Sequence, residues 1–104
     1  MRVRIEHEPD LGRYEIYGDD RRAGYLKYRI QGDLMAIDHT EIDDRFEGEG
    51  LGGDIARHVL DEARAQGKGV LPFCPFIRSW IDRHPEYEDL IPAEQRSRFG
   101  FGDA

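Results

Sequence analysis

Residues 39–53 read HTEIDDRFEGEGLGG. The stretch ends in four glycines within six positions and runs straight into a helical pattern. A glycine-rich turn that opens a helix suits phosphate. Glycine lets the backbone approach a ligand and take positive φ. The first amides of the helix have no partner within it and carry roughly half a positive charge. A flexible loop with a glycine helix start accounts for the same glycines equally well. Either way the turn also carries Asp43, Asp44, Glu47 and Glu49, which is an odd lining for an anion site.

Upstream of this turn the apolar residues alternate. Val3, Ile5 and His7 point one way and Arg2, Arg4, Glu6 and Glu8 the other, a half-buried strand. EPDLG breaks it, Tyr14 and Ile16 resume the alternation, and GDD at 18–20 is a turn. A third strand, Gly24 to Ile30, is expected to bury Leu26, Tyr28 and Ile30. QGD at 31–33 makes the next hairpin, and a fourth strand covers about residues 34–42. Strands so closely spaced favour an antiparallel meander.

Downstream the period changes. Leu51, Ile55 and Val59 share a helical row with Ala56, Leu60 and Ala63 beside it, while Asp54, Arg57, Asp61 and Arg64 take the other face. This is an amphipathic helix ending near Gly67. GVLPFCPF at 69–76 reads as a buried strand whose two prolines forbid full ladder pairing. A short helix from about Phe76 to His84 stops at Pro85. The order is β-β-β-β-α-β-α, in which the helix between the fourth and fifth strands is a crossover and those strands run parallel. The glycine turn then lies at the C-terminal end of the fourth strand, where ligands of open α/β sheets bind. Residues 1–92 read as one domain and 93–104 as a C-terminal tail with a loose end.

The 104 residues carry a formal net charge of −7, with 38% hydrophobic and 36% charged residues. Such a surface repels nucleic acid and anionic membrane. Cys74 is the single cysteine, so no intrachain disulfide can form. No apolar run is long enough to span a bilayer. The expectation is a cytoplasmic protein that acts as a monomer, with no nucleic-acid or membrane partner. The four histidines are widely spaced and none pairs with another on one helical turn, so no metal site is expected.

The chain resembles the GNAT superfamily of acetyl-CoA-dependent N-acetyltransferases, which carries a Q/R-x-x-G-x-G/A turn before the helix that follows its fourth strand. The matching register is Glu47-Gly48-Glu49-Gly50-Leu51-Gly52. More narrowly, it is similar to a small, trimmed GNAT-like family through His39-Thr40-Glu41, Cys74-Pro75-Phe76 and Arg83-His84-Pro85-Glu86-Tyr87. The resemblance covers about residues 2–91. It implies an α+β (α/β) fold: a mainly antiparallel mixed sheet, with strands four and five parallel and splayed, and two main helices. It implies acetyl-CoA as cosubstrate, contacting Ile42, Gly48, Glu49, Gly50, Leu51, Gly52, Gly53 and Cys74, with the diphosphate on the turn amides. The usual Gln or Arg of the motif is Glu47 here, and Arg45 is the one base nearby. Exposed acids, screened within about 10 Å, would weaken such binding modestly.

The activity so implied is acetyl transfer to an amine, a small molecule or a protein lysine. A non-catalytic acyl-CoA-binding module is the alternative. A lysine amine titrates near ~10.4, so a base must act, as side chain or water chain. His39, on the fourth strand, is either that base or a satisfied histidine at a strand edge, and Glu41 is a second candidate. Cys74 is a nucleophile, a proton donor to departing CoA, or a small buried hydrophobe. Where many GNAT enzymes place a tyrosine acid, this chain has Trp80, expected to pack, as is Tyr87. With only EPDLG after the first strand, where most GNAT folds carry helices, the acceptor side is expected to be open.

Overall fold

The computed structural model describes residues 1–102. Its five-stranded sheet runs in sequence order: β1 (Val3–Glu8), β2 (Arg13–Gly18), β3 (Arg21–Gln31), β4 (Leu34–Ile42) and β5 (Gly69–Pro72). The first four strands are antiparallel neighbours, and β4 and β5 are parallel through α1 (Leu51–Ala65). A second helix, α2 (Pro75–Arg83), follows β5. Order, pairing and the α+β architecture agree with the reading of the sequence.

The helical row read from the sequence is the buried one. Leu51, Ile55, Ala56, Val59, Leu60 and Ala63 are each at most 2% exposed. They pack on the sheet face that carries Tyr14, Ile16, Leu26 and Ile37. Polar groups tie the same layers together. Tyr14 Oη donates to Glu62 Oε1 of α1 (2.9 Å), and the His7 ring stacks on Tyr14 at 4.0 Å. Burial and that hydrogen bond to Glu62 push the Tyr14 phenol well above the ordinary tyrosine range.

Two expectations need correction. Ile30 is 47% exposed. It lies one pair from the turn that links Gln31 to Leu34, so it sits at the hairpin tip. The strand expected over 69–76 ends at Pro72, paired with Ile37. The last tie between the strands is Cys74 N–H to Ile37 O (2.9 Å), after which Cys74 caps α2. Proline has no N–H to give the ladder, and Pro75 suits a first helical turn. The segment after residue 92 is packed: short turns at Ala93–Gln95 and Ser97–Phe99 bring Phe99 and Phe101 to 8% exposure, with Phe99 edge-on to Phe73 at 5.2 Å. Ala36 and Leu71, paired across β4 and β5, are buried. They alternate with the residues facing α1, so they belong to the side where Phe73 lies. The expected loose end falls on residues 103–104, which lie outside the described residues.

Candidate active site

The early end of β5 leaves β4 unpaired on that side from Asp38 to Ile42. Some of its backbone groups therefore face a gap between the two strands. At the mouth of this gap lies a cleft of about 340 Å³ lined by Ile42, Phe46, Glu47, Gly48, Gly50, Leu51, Gly52, Gly53, Phe76, Trp80 and Arg83. It joins the C-terminal end of β4, the glycine turn and one face of α2.

The four glycines do two different jobs. Gly48 (φ +82°) and Gly50 (φ +78°) adopt the left-handed conformation, and a Cβ on either would meet nothing within 4 Å. They bend the chain into α1 and leave its start open. Gly52 and Gly53 lie within α1. A Cβ on Gly52 would stand 2.8 Å from Phe76 Cζ, and one on Gly53 would stand 3.4 Å from Trp80 Nε1. The second pair also serves the close approach of the two helices. The amides of Gly48, Gly50, Leu51, Gly52 and Gly53 have no acceptor among the described residues, and α1 has no side-chain cap. Five free donors thus lie at, or just before, the positive end of the helix.

The acids of the turn separate once folded. Asp43 accepts from the Arg45 amide (2.9 Å) and from its guanidinium (3.0 and 3.1 Å). Arg45 holds the Asp43 carboxyl below its ordinary range. Arg45 is therefore engaged with its neighbour. Asp44 lines an adjoining hollow with Glu41, Ile42 and Asp43, and Glu49 lines no part of the cleft. Among the described residues, Glu47 is the one acid in the cleft wall and Arg83 the one base.

Arg83, Phe76, Trp80 and Phe46 were not singled out from the sequence as parts of the site. A signal existed for three of them: positions 76, 80 and 83 follow i, i+4, i+7 spacing and so share one face of α2. Trp80 is 3% exposed and stacks on His84 at 3.8 Å, packing as expected while its edge borders the cleft. Tyr87 is buried and donates to Asp61 (2.7 Å).

The proposed chemical groups lie on two sides of β4. Cys74 is 2% exposed, and its thiol donates to Thr40 Oγ1 at 3.6 Å. Thr40 pairs with buried Leu26 and so points to the helix side. His39 and Glu41 flank Thr40 and point to the opposite face. They contact each other (Nε2 to Oε1, 3.3 Å) and are 52% and 62% exposed. The structure thus brings His39 to Glu41 and Cys74 to Thr40. Of the expected cofactor contacts it gathers Ile42, Gly48, Gly50, Leu51, Gly52 and Gly53 in the cleft wall, with Cys74 and Glu49 outside it. Among the described residues, no three His, Cys, Asp or Glu side chains are grouped to hold a metal ion.

Comparison with known proteins points one way. The family model described as "GCN5-related N-acetyl-transferase" matches residues 13–90. Protein NATD1 of Mus musculus is 22% identical over 85 residues, which are 80% of this chain and 77% of that protein. The solution NMR structure of a GCN5-like putative N-acetyltransferase from Staphylococcus aureus matches with a TM-score of 0.68 and 22% identity. That match covers 85% of this chain and 86% of the other, and at such identity the likeness is one of fold.

Proposed function

The chain belongs to the GCN5-related N-acetyl-transferase family, and from that premise we propose that it moves an acetyl group from acetyl-CoA to an amine, either a small molecule or a protein lysine. The observation that carries the reading is the set of five unpartnered amides at the start of α1, opening on a cleft beside the unpaired edge of β4. Such an array fits a diphosphate without further side chains. The unpaired β4 backbone fits an amide-bearing arm laid along it as an extra strand would lie.

Bound acetyl-CoA supplies an activated thioester. The amine must lose a proton, the C–N bond forms, the C–S bond breaks, and a proton goes to the departing thiolate. The cleft and Cys74 lie on the helix side of β4, while His39 and Glu41 lie on the other. In this reading the donor enters from the helix side and the amine from the open face. His39 takes the amine's proton, directly or through water, with Glu41 holding its ring. Cys74 returns a proton to sulfur from the closed side, where the Thr40 hydroxyl orients its thiol. Backbone amides of β4 act as donors to the developing oxyanion.

One observation favours an acyl-CoA-binding module without turnover: the cleft wall contains no Cys, His or Tyr. Two measurements separate the readings. Saturating CoA at a hundred times its dissociation constant should add about 2.7 kcal/mol of stability, and thiol release from acetyl-CoA should exceed background with at least one amine of a panel. A melt unmoved by millimolar CoA would sink both readings. A shifted melt with no thiol release would leave the binding module.

A further inference from the structure

We propose that Arg83 is the cation that holds the diphosphate of an acyl-CoA in the cleft between α1 and α2, an assignment that rests on the acetyl-CoA reading above. A diphosphate entering this cleft meets Glu47 in the wall. The five amides offer hydrogen bonds and a partial positive charge, but no full charge to set against that carboxylate. The arginine of the turn and both arginines of α1 are engaged elsewhere. Arg45 is paired with Asp43, Arg57 donates to Tyr87 Oη (3.2 Å), and Arg64 is paired with Asp89 (2.8 Å). Arg83 has no carboxylate within 4.0 Å among the described residues, and its one side-chain hydrogen bond is a long one to Ser79 Oγ (3.4 Å).

Packing decides where that free guanidinium lies. Phe76 and Trp80 pack against Gly52 and Gly53, which fixes the face of α2 presented to the start of α1. Arg83, one turn further along the same face, is thereby carried to the cleft that the amides also line. A guanidinium presents two parallel N–H donors that match two phosphate oxygens, which a lysine cannot reproduce. The competing role for Arg83 is purely structural, a base in the last turn of α2 that complements the helix dipole. That role would be felt in the free protein and would not depend on the ligand's phosphates.

The test measures Kd by calorimetry on the full chain with three probes: CoA, dephospho-CoA, which lacks the 3′-phosphate, and pantetheine, which lacks every phosphate. Arg83→Ala should weaken CoA and dephospho-CoA alike, by about tenfold each, as expected for one charge-assisted pair at an exposed rim. It should leave pantetheine unchanged. Arg83→Lys should recover part of the loss. Arg2→Ala removes an equal charge from a side chain that is 83% exposed just before β1, and should leave all three affinities as they were. A loss for CoA that disappears with dephospho-CoA would overturn the diphosphate assignment. So would equal losses for all three probes, or none, in a protein that binds CoA normally. If the unaltered protein fails to bind CoA, the acetyl-CoA reading falls first and the Arg83 assignment with it.

Discussion

Gly52 and Gly53 are adjacent, share one helix and lie under one neighbouring face, yet alanine at the two positions should have opposite effects. Glycine in a helix costs roughly 0.5–1 kcal/mol against alanine, so each substitution begins with about that gain. At Gly53 the added methyl would lie 3.4 Å from Trp80 Nε1, an ordinary contact, and the gain should survive. At about 4–8 °C per kcal/mol for a domain of this size, Gly53→Ala should raise Tm by roughly 2–8 °C. At Gly52 the methyl would lie 2.8 Å from Phe76 Cζ, nearer than carbon atoms pack. Overpacking of this kind costs about 1–3 kcal/mol, so Gly52→Ala should come out destabilised by roughly 0–2.5 kcal/mol. The half-buried Phe76 ring would have to swing away from α1, and since it lines the cleft, CoA affinity should fall as well. Urea melts of both variants, with and without CoA, decide the matter. Equal stabilisation at the two positions would refute the argument that close helix approach is what demands glycine at position 52.

Gly50→Asp should leave the fold cooperative, because nothing lies within 4 Å of its Cβ position and aspartate tolerates positive φ better than most residues. It should also abolish the CoA-dependent rise in Tm by bringing negative charge to the amide cradle; a retained shift would move the diphosphate elsewhere. Incubation with acetyl-CoA and no amine should leave the intact mass of the protein unchanged, since Cys74 is buried against Thr40. A stoichiometric acetyl-Cys74 able to acetylate an added amine would replace direct transfer with a two-step route. Asp38, Asp43 and Asp89 are held below the ordinary carboxylate range by Arg29, Arg45 and Arg64. Their stabilisation is present above the unfolded value near ~3.9 and is lost as pH falls through their lower folded values. Tm should therefore fall on acidification below about pH 4. Arg29→Ala should flatten part of that slope, and an unchanged slope would remove the Arg29–Asp38 pair from the account.

The sequence by itself determined the elements and their order. Period-two alternation in residues 3–42 and period 3.6 in 51–65 are local consequences of where side chains point along a strand or a helix. Pro72 and Pro75 likewise foretold that β4 and β5 would part, because the missing N–H is a property of the residue. The phosphate-suited turn was visible too, since glycines before a helix leave amides free whatever surrounds them. What the sequence could not divide was the labour among those glycines. Only the packing of α2 distinguishes Gly48 and Gly50, which bend the open turn, from Gly52 and Gly53, which admit Phe76 and Trp80. Nor could it dispose of the acids. Asp43 is satisfied by Arg45, Asp44 looks into another hollow, and Glu47 faces a cleft whose one cation, Arg83, stands 36 positions further along the chain. Nearness in space between distant positions carries no sequence period, so tertiary structure alone decided that Glu47 and Arg83 line one cleft.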